Sequence, residues 1–218
     1  MYIFLYLAMT LCAGFAFGYG VARFFRTRKA LYTRMIVFGL GCAMMGRLFE
    51  TISLFAFGEI PSGFHIGILG IIGSFLFFFT ANYGQMDSLV DDGSRRYLKV
   101  RLIALAAPVV IVALYCVFLK YADLEDAIVG AVEALVISMA SYYNLKHLII
   151  RDVDYGVIDS IRYYNFLALI YAIICMIQMI FTAAPVPGAL VVTVDVIYCV
   201  LMLIFVPVLE RGVSKWVI

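Results

Sequence analysis

The sequence predicts an all-α fold, a single polytopic membrane bundle of seven transmembrane helices over residues 1–218, with its N-terminus outside and its C-terminus cytoplasmic. Three observations predict it. Apolar residues make up 66% of the chain and charged residues 14%, with a mean hydropathy of +1.06. An ordinary soluble domain is about 45–50% apolar and about 25% charged. Seven apolar stretches, near 2–25, 35–57, 64–86, 101–121, 127–150, 161–182 and 188–209, approach or exceed the ~20 residues needed to span a bilayer. Fourteen of the sixteen Lys and Arg residues flank one side of those stretches, the bias that marks cytoplasmic loops.

The first span opens MYIFLYLAMT with no basic residue before it, and RTRK follows it at 26–29. A secretory signal peptide has the opposite charge order, so span 1 is read as retained. Arg23, Arg26, Arg28, Lys29 and Arg34 flank the first inner loop, and Arg95, Arg96, Lys99 and Arg101 the second. Lys146, Arg151 and Arg162 flank the third, and Arg211 and Lys215 follow span 7. Lys120 alone lies on the other side, where the turns GEIPSG (58–63) and AAPVPG (183–188) carry no basic residue.

In span 2, Gly39, Ala43, Gly46 and Glu50 share one helix stripe, where small residues let neighbouring helices approach closely. Span 3 carries Gly67, Gly70, Gly73 and Ser74, which predicts tight packing at the centre of the bundle. The inner ends TANYGQMD (80–87), SYYNLKH (141–147) and SIRYYN (160–165) turn polar. Their tyrosines are read as the interfacial aromatic belt. Asn82, Asn144 and Asn165 are placed to hydrogen-bond between helices, and Pro108 and Pro207 to kink theirs. Cys12, Cys42, Cys116, Cys175 and Cys199 lie in apolar runs without a CxxC pair, and read as buried small hydrophobes.

Four ionisable residues lie well inside spans: Arg47 and Glu50 in span 2, Glu133 in span 5 and Asp195 in span 7. Unpaired, they would cost on the order of 10–14 kcal/mol. Glu50, Glu133 and Asp195 each sit seven residues from the outer end of their span, which at 1.5 Å per residue is roughly 10 Å below the surface. The shared depth predicts one outward-facing polar pocket, with Arg47 a turn deeper. Gln178 and Tyr115 fall at similar depth, His65 at the outer mouth of span 3, and Thr193 and Tyr198 flank Asp195. Three carboxylates face one guanidinium, so protons, a cation or water must balance the site. The plainer alternative is that Arg47 and Glu50 are a structural ion pair locking two helices.

The run GRLFETISLFAFGEIPSGFHIGILGIIGSFLFFFTANY (46–83) resembles the N-terminal seven-helix sensor region found ahead of bacterial histidine kinases and diguanylate cyclases. The shared features are the N-out topology, a glutamate late in span 2 (Glu50, with Ser53 following) and a Gly-bearing span 3 ending in an aromatic segment, Phe75–Tyr83. The chain departs from that pattern in carrying no output domain after span 7 and in having Ser74 where a proline-containing segment is expected. The resemblance implies ligand sensing in a bacterial cytoplasmic membrane with a separate protein as output.

Other classes lack their marks. The two histidines fall on opposite sides of the membrane, which argues against an intramembrane zinc hydrolase. GxSxG, P-loop and GxGxxG motifs are absent from the sequence, and span 7 has no lysine for a retinal Schiff base. The expectation is therefore not an enzyme, with no cofactor or metal and no nucleic-acid partner. It is a sensor or receptor-like module in the lipid bilayer that binds a small polar or cationic ligand, or protons. It would signal through loops 87–100 and 151–160, with Asp91, Asp92, Arg95 and Arg96 docking a cytoplasmic partner. A homo-oligomer is compatible with this. The alternative is a small, proton-coupled secondary transporter using the same carboxylates, with the inner Asn/Tyr cluster as its second gate.

Overall fold

Apolar stretches in lipid must satisfy their backbone hydrogen bonds internally, which leaves helices as the natural solution. In the computed structural model, which describes residues 2–26, 31–87, 91–150 and 157–213, all the regular elements are helical. They are α1 (Tyr2–Phe24), α2 (Leu31–Phe57), α3 (Ile66–Thr80) with a wider π-type extension (Ala81–Asp87), and α5 (Leu124–Ile149). α6 (Val157–Ala183) and α7 (Gly188–Val213) complete the bundle. Between them, α4 starts as a short 3-10 turn (Arg95–Tyr97) and continues in two pieces, Leu98–Ala104 and Ala106–Phe118. Arg28, Lys29, Arg151, Lys215 and the 151–156 part of the third inner loop lie outside the described residues.

Six helical segments are long and apolar enough to cross a bilayer: Ile3–Phe24, Leu31–Phe57, Ile66–Gly84, Arg95–Phe118, Ile161–Ala183 and Gly188–Val213. This is the makeup of an integral membrane protein. α5 also has spanning length, with 26 residues, though it is not among those six.

The packing forms a ring. α1 lies between α2 and α7, α3 between α2 and α5, and α6 between α5 and α7. α4 lies outside that ring against α5 and α6, and its span is the least buried of the six, at 17%. α3 is therefore one wall of the ring rather than its axis. Its tight contact with α2 is nonetheless as the glycines predict: a Cβ on Gly46 would lie 2.7 Å from the Gly67 carbonyl oxygen. The turn between α2 and α3 needs glycine at both ends, where Gly58 and Gly63 have φ of 80° and 69°.

The break in α4 falls at Leu105, one turn before Pro108, whose missing N–H leaves the Ala104 carbonyl without its helical donor. Pro207, by contrast, sits inside α7 without interrupting it. Two expectations about side chains are corrected. Tyr164 is not part of an interfacial belt but is 1% exposed, inside the bundle, whereas its neighbour Tyr163 is exposed. Cys116 is exposed, because α4 turns that face away from the ring, while Cys175 is buried.

Candidate functional site

The stripe that packs α2 on α3 also delivers Arg47 and Glu50 to the bundle interior, at 5% and 6% exposure. The Arg47 Nη1 donates to Glu50 Oε2 at 2.8 Å. Its Nη2 donates to the side-chain oxygen of Gln178 on α6. Gln178 in turn donates through Nε2 to Asp195 Oδ1 on α7 at 2.7 Å. The guanidinium carbon stands 4.9 Å from the centroid of the Tyr198 ring, a cation–π contact with the side chain one turn past Asp195. α1 is tied in through Thr10, whose hydroxyl is 2.8 Å from that of Thr51; Thr51 also donates to the Arg47 carbonyl at 2.8 Å.

Arg47, Glu50, Gln178 and Asp195 form the floor of a cavity of about 760 Å³ that extends to the 58–63 and 184–187 turns. Arg47, Glu50, Glu133, Asp195, Gln178 and His65 all line it. The depth argument therefore brings the four charges to one cavity. Glu133 is 3% exposed, and its Oε1 has no hydrogen-bond partner among the described residues. His65 caps α3 by accepting from the Gly67 N–H at 3.1 Å, and stacks on Phe49 with centroids 5.8 Å apart. Burial holds its imidazole below the ordinary histidine range, although Glu50 and Asp126 pull the other way. The capping position leaves no room for a side chain at Gly67, where a Cβ would lie 2.8 Å from Glu50 Oε1.

Three expected residues stand elsewhere. Tyr198 lies under the guanidinium and does not line the cavity. Thr193 is exposed and donates to the Ala189 carbonyl at 2.8 Å. Two residues along a helix is about 200° of rotation, so it faces away from Asp195. Tyr115 is carried by the peripheral α4, and its hydroxyl is used on the Ala127 carbonyl at 2.8 Å. Four polar lining residues were not among the candidates: Tyr6, Ser62, Asp126 and Thr182. Asp126 accepts from the Gly63 N–H at 2.9 Å and so holds the mouth turn to α5. Tyr6 carries no formal charge; its depth near the start of α1 was the one available signal.

A second polar cluster occupies the opposite, Arg-rich end and is fully packed. Asn82 donates to Asn144 Oδ1 at 2.5 Å and to Asn165 Oδ1 at 3.2 Å. The Tyr32 hydroxyl donates to Asn82 Oδ1 at 3.3 Å, and His147 Nδ1 lies 3.3 Å from the same oxygen. All three asparagines and His147 have no exposed surface. The interhelical asparagine bonds are thus as expected. Beyond them, Lys146 Nζ is 2.6 Å from both Asp87 Oδ1 and Asp91 Oδ2, and Arg101 grips Asp91 with two N–H groups, Nε to Oδ2 at 2.7 Å. The Arg101 bonds, with help from Lys146, hold the Asp91 carboxyl well below its usual range. For Asp87, burial pushes upward, but hydrogen bonds from His147 and Lys146 outweigh it and leave the carboxyl lowered. Asp91 is therefore consumed within the fold, with a side chain 3% exposed, and is not free to dock a partner. Asp92 turns back onto the Ser94 N–H at 2.9 Å, while Arg95 and Arg96 are exposed.

Between the two polar ends lies a continuous run of ring contacts, tilted or edge-to-face. Tyr198 meets Tyr171 at 6.0 Å between centroids, Tyr171 meets Phe78 at 6.0 Å, Phe78 meets Tyr164 at 6.0 Å, and Tyr164 meets Tyr32 at 5.9 Å. The contacts thus run from the Arg47 guanidinium to Asn82. No family model matches the chain, and neither a curated protein nor a solved structure is found to match it.

Proposed function

We propose that the chain is a seven-helix membrane sensor, N-terminus outside, which binds a small polar or cationic ligand, or protons, in the cavity floored by Arg47, Glu50, Glu133 and Asp195. The observation that carries this reading is the Gln178 bridge. One side chain joins Arg47 of α2 to Asp195 of α7, so anything that engages either charge changes how three helices are held together. A cavity of about 760 Å³ falls within the about 300–1,000 Å³ usual for small-ligand pockets. Intramembrane charges facing such a space are functional by default. The packed rings from Tyr198 to Tyr32 would carry a helix shift to the Asn82 cluster and on to the 91–101 segment, where Arg95 and Arg96 remain available to a cytoplasmic partner.

The test has two parts. Ser62→Cys, at the mouth, should react with a membrane-impermeant maleimide applied from the non-cytoplasmic side. Hydrogen exchange over 91–104 should change when the pocket is loaded from a panel of amines, amino acids and carboxylic acids, and Gln178→Leu should uncouple the two. Labelling from the cytoplasmic side, or unchanged exchange with every bound compound, counts against the sensor reading.

Secondary transport is the second reading. It is favoured by polar groups at both ends of the bundle with an aromatic layer between them. Here the Lys146, Asp87, Asp91 and Arg101 network would be the closed inner gate. Solute flux into proteoliposomes that Glu133→Gln abolishes would select this reading over the first.

A further inference from the structure

The cavity has a marked charge excess. Glu50, Asp126, Glu133 and Asp195 line it against one guanidinium. Three of the four carboxylates already take a protein donor: Glu50 from Arg47, Asp195 from Gln178 and Asp126 from the Gly63 N–H. Glu133 is different. It is 3% exposed, lines the cavity, and keeps one oxygen without a partner among the described residues. A carboxylate so buried is costly unless something donates to it.

Arg47 is the opposite case. Its guanidinium is engaged by Glu50, by Gln178 and by the Tyr198 ring face. Two of its five N–H groups are taken, and the carboxyl groups of Glu50 and Asp195 in the same lining disfavour a further anion. His65 already offers its Nδ1 to the Gly67 N–H, as the cap of α3. The cavity is therefore a poor host for an anion. Nearer the mouth much of the wall is hydrocarbon, with Ile3 from α1, Leu54 from α2, Ile60 from the turn, Val129 from α5, Phe181 from α6 and Val191 from α7 interleaved with Ser62, Asp126 and Thr182. A bare metal ion would want about six oxygen ligands and would leave those walls uncovered.

We propose that the cavity takes an amphiphilic primary ammonium compound, its charged head on the Glu133 carboxylate and its hydrocarbon body against the apolar walls toward the mouth. An ammonium supplies three N–H donors in a compact head, which suits a buried carboxylate whose Oε1 has no partner among the described residues. This deepens the ligand-binding reading above and rests on it.

The experiment uses the purified full chain in detergent and follows the unfolding midpoint against concentration of 2-phenylethylamine. Its neutral isostere 2-phenylethanol, its anionic isostere phenylacetate and its trimethylammonium counterpart are run alongside. A saturable rise is expected with 2-phenylethylamine alone. Glu133→Gln should weaken the apparent affinity about tenfold or more, consistent with a lost charge-assisted bond. Glu133→Asp, which keeps the charge on a shorter arm, should retain a weaker response and controls for folding.

Equal rises with 2-phenylethanol, a rise with phenylacetate, a response undiminished in Glu133→Gln, or no response to the amine each overturn the proposal. A Glu133-dependent rise on lowering pH with no response to the amine also overturns it, by making Glu133 a proton site. A phenylacetate or 2-phenylethanol response that Gln178→Leu removes would sink the ammonium assignment while leaving ligand binding in the cavity standing. No response to any of the four probes, with Ser62→Cys closed to the impermeant maleimide, would sink both.

Discussion

Gly46 of α2 and Gly70 of α3 meet backbone against backbone: a methyl group on Gly70 would lie 2.5 Å from the Gly46 Cα and 2.7 Å from the Cys42 carbonyl oxygen. Helices that approach this closely do so because neither presents a side chain at the crossing. The contact also sets where Glu50 stands relative to His65 and Gly67. Gly70→Leu should force the helices apart and lower stability by about 1–3 kcal/mol or more. Gly73→Ala should be much milder, since its nearest obstacle is the Cys42 Sγ at 3.1 Å. Thermal unfolding in detergent separates the two; equal effects would refute the close-contact argument.

The Arg47–Glu50 pair is nearly dry, and breaking one side of such a pair typically costs about 3–5 kcal/mol. Arg47→Met should be severe, because it leaves Glu50 without its cation beside Asp195 and Glu133. The Arg47→Met/Glu50→Met double variant should regain a large part of that loss. Unfolding measurements on the singles and the double give the coupling directly, and strict additivity would show that the pair contributes nothing.

Acid should loosen the Arg-rich end first. Asp87 and Asp91 have carboxyls lowered in the folded chain, so their contribution is present above the ordinary carboxylate range and is lost as pH falls through the folded values. The midpoint should be flat near neutrality and decline below about pH 4, where unfolded aspartates take up protons. Asp91→Asn should reduce that slope. A slope identical to that of the unaltered chain would remove Asp91 from the account.

Asn82 serves four partners at once: Asn144, Asn165, Tyr32 and His147. Asn82→Leu removes these bonds from a region with no exposed surface and should destabilise by about 1–3 kcal/mol. It should also raise hydrogen exchange in the extension Ala81–Asp87. Unchanged exchange there would mean that the asparagine cluster does not hold this end closed.

Much of the architecture was legible in the amino-acid order. Long apolar runs have one cheap conformation in lipid, and a fixed rise of 1.5 Å per residue turns sequence position into depth. That is why Glu50, Glu133 and Asp195, on three different helices, could be matched before any packing was known. The small-residue stripe from Gly39 to Glu50 likewise announced a face on which a neighbouring helix comes close, and α3 is the helix that does so.

Depth, however, carries no information about which helices are neighbours. Only the tertiary structure put α4 outside the ring and so took Tyr115 out of the cavity, and brought Tyr6 of α1 into its lining. Only the tertiary structure chose Gln178 as the second partner of Arg47 and left Glu133 Oε1 buried without a partner among the described residues. The physical reason is range. Hydrophobicity and helical rise act along one segment, whereas the pairing of a buried charge depends on which other segment supplies a donor within about 3 Å.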